Sequence, residues 1–291
     1  MTTGTEEDKS GRKSSFRVLH DDFAATLSEV GDGLTVSLSD TSLAFKTDAF
    51  QNGFEFEHVY GKSEILFTEA LARPKALGRS FPIQPIADTL YGFEKHKKFD
   101  LFTLSNVLKH GKDYPVLSVN ISPESLVDPA FCEAFLAVLV RHGRDPSTVV
   151  VEILEHYVDP ARNVLHLEQL QKAGVRFALD DFGAKHKEEP ELKSHFRRLQ
   201  LFRPYVDIVK FDGGFMKGNS DPDLKDLVGV LKQTVPGVTI VAEHVCNFNR
   251  AQQLFDLGFD GAQGQKLREQ ELDYNARIIP KYSSTVDLDL S

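Results

Sequence analysis

What this 291-residue chain lacks narrows its function first. It contains no Trp, two Met and only two Cys. Cys132 and Cys246 stand far apart, so neither a disulfide framework nor a zinc-type spacing is present. Cys132 falls in the apolar run 131–140 and reads as a small buried hydrophobe. No stretch reaches the roughly 18 consecutive apolar residues of a membrane span. The opening residues, MTTGTEEDKSGRKSS, have no apolar centre of the kind a secretory signal needs. The expectation is a cytoplasmic chain with no membrane span. A basic excess is also missing: 34 Lys and Arg against 43 Asp and Glu leave a formal net charge of −9. That argues against a nucleic-acid polymer as partner, because phosphate backbones demand a cationic footprint. If this chain binds a phosphate ester, local cations must do it, either metal ions or a few placed Lys and Arg.

What is present is a core. Hydrophobic residues make up 41% of the chain, with 22 Phe supplying most of the aromatic bulk. Residues 1–15 are polar and read as a disordered tail, and 281–291 as a C-terminal tail. Residues 16–50 form an extension of unknown role, in which 20–30 reads as a short helix ended by Gly31 and Gly33, and 34–38 alternates like a strand. Across 51–280 the pattern is regular. Strand-like apolar runs at 65–67, 116–119, 149–153, 175–179, 206–211 and 238–241 alternate with helical patterns at 129–142, 160–173, 223–234 and 249–257. Such alternation predicts an α/β fold, and the number of units favours a closed TIM-type (β/α) barrel. No G-x-G-x-x-G follows an early strand, which counts against a Rossmann domain.

Polar residues follow the strands at a regular interval. ILFT leads into Glu69, VLSV into Asn120, VVV into Glu152, RFAL into Asp180 and Asp181, VDIV into Lys210, and TIVA into Glu243. From Asn120 onward successive steps are about 30 residues, one βα unit, so each return brings the chain to the same end of the barrel. In such barrels the C-terminal strand ends form the active-site face. Taken alone, an acidic residue after a strand is most often a helix cap or a solvated loop residue. Seven polar residues in step imply convergence. Crowded carboxylates cannot all stay ionised unpaired, and divalent cations relieve them. Oxygen ligands without His or Cys suit Mg²⁺ or Mn²⁺ rather than zinc.

These residues also carry a resemblance. Glu69-Ala70-Leu71-Ala72-Arg73 matches the E-A-L-x-R opening of the EAL family of cyclic di-GMP phosphodiesterases. Asn120-Ile121-Ser122-Pro123 resembles its N-x-S-P, Glu152-Ile153-Leu154-Glu155 its E-x-T-E, and Asp180-Asp181-Phe182-Gly183 its D-D-F-G. Lys210-Phe211-Asp212 resembles its K-x-D, Ala242-Glu243-His244-Val245 its A-E-G-V, and Gln263-Gly264 its late Q-G. The resemblance implies a two-ion site: Glu69, Asn120, Glu152 and Asp180 about one ion, with Asp180, Asp181 and Glu243 about the other. It implies that Lys210 holds the attacking water, with Glu243 and Asp181 sharing the catalytic work. By the same likeness, Leu71, Arg73 and Gln263 serve the substrate side, and Glu155 anchors the loop after Asp181. Two adjacent ions can activate water and steady both oxygens of an in-line phosphodiester displacement, giving linear pGpG.

Three departures stand against this pattern. The loop after Gly183 reads Ala184-Lys185-His186-Lys187-Glu188-Glu189-Pro190, where the family carries small residues. Cys246 stands where A-E-G-V would continue to a second Glu, and the Q-P dipeptide of the first strand is absent from 54–60. A slow or conditional phosphodiesterase is therefore one expectation, and a cyclic di-GMP receptor signalling to a protein partner is the alternative. A homodimer, and a barrel serving only as a scaffold for protein contacts, are also open.

Overall fold

The computed structural model describes residues 54–73, 96–153, 160–184 and 192–270, together with the backbones of six strands outside those ranges. Four of these, β1 (Ser15–His20), β2 (Phe23–Val30), β3 (Gly33–Leu38) and β4 (Leu43–Lys46), form an antiparallel sheet in chain order. The helix expected at 20–30 is therefore not found. Phe23–Val30 is a strand whose register pairs His20 with Phe23 and Val30 with Gly33. Each of those pairs brackets a dipeptide, Asp21-Asp22 and Gly31-Asp32, and short Gly/Asp connections favour hairpins over helix termination. The expected tails and the loop 185–190 fall, apart from Ser15, outside the described residues.

The remainder is a closed eight-stranded barrel. Its strands are β5 (Phe54–Gly61), β6 (Ile65–Ala72), β9 (Leu117–Ile121), β10 (Val149–Ile153), β11 (Arg176–Phe182), β12 (Val206–Phe211), β13 (Thr239–Ala242) and β14 (Gly261–Ala262); a small β7–β8 ribbon (Lys75–Ala76, Arg79–Ser80) lies outside it. Going round, the order is β10-β11-β12-β13-β14-β5-β6-β9. Seven barrel strands run parallel, whereas β5 is antiparallel to both neighbours. The reversal follows from chain length. Only residues 62–64 connect β5 to β6, and three residues can make a hairpin but not a parallel crossover.

Helices fill the connections: α1 (His96–His110), α2 (Pro123–Leu126), α3 (Pro129–Arg141), α4 (Pro160–Lys172), α5 (Leu192–Phe202), α6 (Gly213–Gly218), α7 (Asp221–Thr234), α8 (Phe248–Asp256) and α9 (Gln265–Glu269). Their starts are written locally. The Asp128 side chain accepts from Ala130 N before Pro129, and Asn247 accepts from Arg250 N. Ser220 and Asp223 form a capping box, which is why α7 begins two residues earlier than its apolar pattern. Outward-facing strand residues such as Val119, Val151, Phe177 and Val209 pack with helix residues Leu104, Phe135, Leu167 and Leu224 in one continuous core. Inside the barrel a separate plug contains Val59, Phe67, Val150, Ala178, Ile208 and Val241. None of the described helices is long and apolar enough to cross a membrane.

Candidate active site

The interior plug dictates the mouth. Side chains two residues apart on a strand share a face, so the position two beyond each plug residue must point into the barrel one layer higher. From Phe67, Val150, Ala178, Ile208 and Val241, two steps lead to Glu69, Glu152, Asp180, Lys210 and Glu243. The strand β9 follows suit with Asn120, and Gln263 continues from Gly261 at the end of β14. On the reversed strand the count runs backwards, from Val59 to Glu57, which the register sets directly opposite Glu69. The layer above the plug is thus polar on all eight strands.

Lys210 is its centre. The side chain is fully buried, and Nζ donates to Glu69 Oε2 at 3.0 Å and Glu152 Oε2 at 2.7 Å. Glu243 Oε1 at 2.8 Å and Asp180 Oδ1 at 3.2 Å complete a ring of four carboxylates around one ammonium. An ammonium has three donors, so four partners cannot all be served equally. Asn120 Nδ2 donates to Glu69 Oε1 at 2.9 Å and Gln263 Nε2 to Glu69 Oε2 at 2.6 Å, so the Glu69 carboxylate is held at both oxygens. Among the described residues, the buried Oε1 of Glu152 has no hydrogen-bond partner.

The titration behaviour follows from crowding. Burial, reinforced by Glu69, pushes Glu152 well above the ordinary carboxylate range. Burial also raises Asp180, despite the opposing pull of Lys210. Glu243 rises to about 8, through burial first and then Asp180 and Glu69, with Lys210 opposing. Glu69 goes the other way: burial opposes it, but Lys210 and its two amide donors outweigh burial and hold it low. Lys210 is likewise penalised by burial, and its four carboxylates overcome that to raise it well above the usual ammonium value. One cation cannot neutralise this mouth. Its carboxylates must take up protons or further cations.

Asp180, Asp181 and Glu243 bring one ligand atom each within 4.8 Å of one another, an arrangement able to hold a metal ion. With the unpaired oxygen of Glu152 and an all-oxygen donor set, the residues fit a hard divalent cation. Asp181 adopts φ +52, outside the strand conformation, and its carboxylate lies beside those of Asp180 and Glu243 instead of on the opposite face of the strand. Gly183 follows at φ +91, and a Cβ there would lie 2.5 Å from Phe215 Cγ, so both backbone and packing require glycine.

On the substrate side, Leu71 lies on β6 opposite Glu55, and Arg73 follows the strand end. Arg73 Nε donates to Glu55 Oε2 at 3.0 Å. Glu155 and residues 185–190 lie outside the described residues. Cys246 is exposed, and Asn247 Nδ2 donates to its Sγ at 3.3 Å. Two mouth residues escaped the sequence reading. Glu57, half-buried and raised by burial and by Glu69, and Glu55 both sit on the reversed strand. Their signal was the E-x-E alternation in FEFEHVY, legible only once the strand direction is known.

The architecture and mouth define an acidic α/β-barrel with a buried lysine among carboxylates from separate strands. A family model described as the EAL domain matches residues 61–269, and the chain belongs to the EAL-domain family. The "Probable cyclic di-GMP phosphodiesterase PdeA" of Escherichia coli (strain K12) is 28% identical over 212 residues, 68% of this chain and 27% of that protein. The "Cyclic di-GMP phosphodiesterase RocR" of Pseudomonas aeruginosa is 29% identical over 166 residues, 54% of this chain and 41% of that protein. The chain thus spans less than half the length of either relative. Among solved structures, the MucR phosphodiesterase of P. aeruginosa in complex with c-di-GMP matches with a TM-score of 0.61 at 20% identity, over 74% of this chain and 94% of that one. Klebsiella pneumoniae BlrP1, solved with manganese and cyclic di-GMP, matches with 0.57 at 24% identity, over 74% and 54%. At these identities the structures establish the shared fold.

Proposed function

We propose that this chain is a divalent-cation-dependent phosphodiesterase that opens cyclic di-GMP to linear pGpG. One observation carries the reading: a fully buried lysine is ringed by four carboxylates from four strands, beside a fifth carboxylate in Asp181. Two Mg²⁺ or Mn²⁺ ions would supply Lewis-acid activation of water and neutralise the phosphodiester. Glu69, Asn120, Glu152 and Asp180 would hold one, and Asp180, Asp181 and Glu243 the other. The chain's own groups do the rest. Asn120 and Gln263 aim the Glu69 carboxylate, Lys210 orients the attacking water, and Glu243 and Asp181 share the catalytic work. Arg73 meets a phosphate oxygen, with Leu71 beside it, and Glu155 anchors the loop. Incubation with cyclic di-GMP and Mn²⁺, followed by chromatography, tests this. The expected result is pGpG, and no linear product at high enzyme concentration discards it.

A second reading, a cyclic di-GMP receptor that turns the ligand over poorly and signals to a protein partner, is favoured by the sequence after Gly183, where charged residues stand in place of small ones, and by Cys246. Metal-independent binding without turnover would select it.

A further inference from the structure

The two aspartates sit where the barrel ladder fails. The β11–β12 register slips between Leu179 and Phe182, and Asp181 takes a left-handed conformation inside the slip. The Asp180 carbonyl therefore lies in an interrupted ladder, and a buried carbonyl must find a donor elsewhere. Arg198 supplies one: Nη1 donates to Asp180 O at 3.0 Å. Its Nη2 donates to Ile153 O at 2.5 Å, on the neighbouring strand and one residue past Glu152. A single planar guanidinium thus bridges the ends of β10 and β11, just beyond Ile153↔Leu179, the last pair of their register. The fixed fork of a guanidinium makes that bridge directional, which a flexible ammonium cannot reproduce.

Arg198 does not act alone on this turn. It lies on α5, whose residues 195, 198, 199 and 202 share one face by helical spacing. From the same face the His195 ring nitrogen Nε2 lies 3.0 Å from the carbonyl oxygen of Ala184, the residue after Gly183. The His195 ring also packs on Phe182, with centroids 5.4 Å apart. The helix beyond residues 185–190 therefore grips the backbone on both sides of Asp181-Phe182-Gly183.

We propose that Arg198 is the positioning residue of the paired aspartates, tying β10 to β11 so that Glu152, Asp180 and Asp181 present their carboxylates to the two adjacent cation sites. This rests on the metal-dependent reading above. Groups that orient metal ligands without touching the ion typically matter about 10–100-fold in affinity. The test is calorimetric titration of the full chain with Mn²⁺ alone, alongside thermal unfolding, for wild type, Arg198→Ala and Arg198→Lys. Arg198→Ala should bind Mn²⁺ about 10–100-fold more weakly, and Arg198→Lys, reaching one carbonyl, should fall between it and wild type. A merely structural arginine would lower Tm and leave the Mn²⁺ affinity of the folded protein unchanged. Wild-type affinity in Arg198→Ala overturns the inference. If that variant does not fold, wild-type affinity in Arg198→Lys overturns it equally. Absence of Mn²⁺ binding by the wild type would sink the phosphodiesterase reading, and this inference with it.

Discussion

Glu55 Oε2 and Arg73 Nε lie 3.0 Å apart at the rim, joining the reversed strand β5 to the end of β6. The pair is partly exposed, at 41% for the Arg73 side chain and 33% for Glu55, so it contributes little to stability. Its consequence is for ligands. A phosphate approaching Arg73 must compete with a carboxylate already in place. Glu55→Gln should lower KM for cyclic di-GMP about 3–10-fold, on the order of 1 kcal/mol, with unfolding free energy within about 0.5 kcal/mol of wild type. Steady-state kinetics beside urea unfolding measure both, and an unaltered KM would remove Glu55 from substrate binding.

Stability should depend on pH in a direction set by the mouth. Glu243 at about 8, with Glu152 and Asp180 also raised, binds protons more tightly in the folded chain than in the unfolded one. Groups raised on folding contribute stability below their unfolded values, near 4, which is lost as pH climbs through the folded values. The upward shift of Lys210 acts only above its ordinary value of 10.5 and leaves this window alone. The ion-free protein should therefore lose Tm steadily from about pH 5 to pH 8. Metal ligands bind deprotonated, so Mn²⁺ should raise Tm more at pH 8 than at pH 5. Calorimetric scans with chelator and with Mn²⁺ read both trends, and a Tm that climbs with pH in chelator contradicts them.

Removing the central cation should be costly. Lys210→Met leaves four carboxylates facing one another in a buried site. Breaking a buried ion pair from one side costs about 3–5 kcal/mol. Urea unfolding at pH 8 should show a loss of that order, shrinking at pH 5 as the carboxylates protonate, with turnover abolished at either pH. A variant as stable as wild type at pH 8 would mean the carboxylates are already protonated around Lys210.

Asp100 on α1 is buried, and its Oδ2 accepts from Ser122 N at 3.1 Å, Ser122 Oγ at 2.6 Å and Ser125 Oγ at 2.6 Å. These bonds pin the turn that follows Asn120. Burial raises the carboxyl to about 6, with those three donors opposing. Asp100→Ala orphans buried donors, each costing about 1–3 kcal/mol, although the two hydroxyls can re-pair with one another. A loss of about 2–4 kcal/mol by urea unfolding, at unchanged m value, is expected. A loss below about 0.5 kcal/mol would show that the turn holds without Asp100.

Much of the barrel was legible before any coordinates. The parallel strands and their helices announce themselves because two periodicities alternate, whereas the start of α7 at Asp221 is set by the Ser220–Asp223 capping box, which the periodicity alone did not show. Other elements were not read from the sequence, among them the helices His96–His110 and Leu192–Phe202. Phe23–Val30 reads as helix or strand by local pattern alone, and its hairpin partners settle the matter. Residues 261–262 are too short to show any period, yet they close the ring between β13 and β5.

For the site, sequence alone determined which side chains share a layer. A strand has period two and a βα unit recurs at about 30 residues, so Asn120, Glu152, Asp180, Lys210 and Glu243 fall into step without any knowledge of distances. The tertiary structure decided the rest: that Lys210 reaches four carboxylates at once, that Gln263 and Asn120 hold opposite oxygens of Glu69, and that Glu55 and Glu57 join the mouth. Those relations depend on strand direction and on barrel closure. Both are set by packing between segments up to 194 residues apart, which no local pattern encodes.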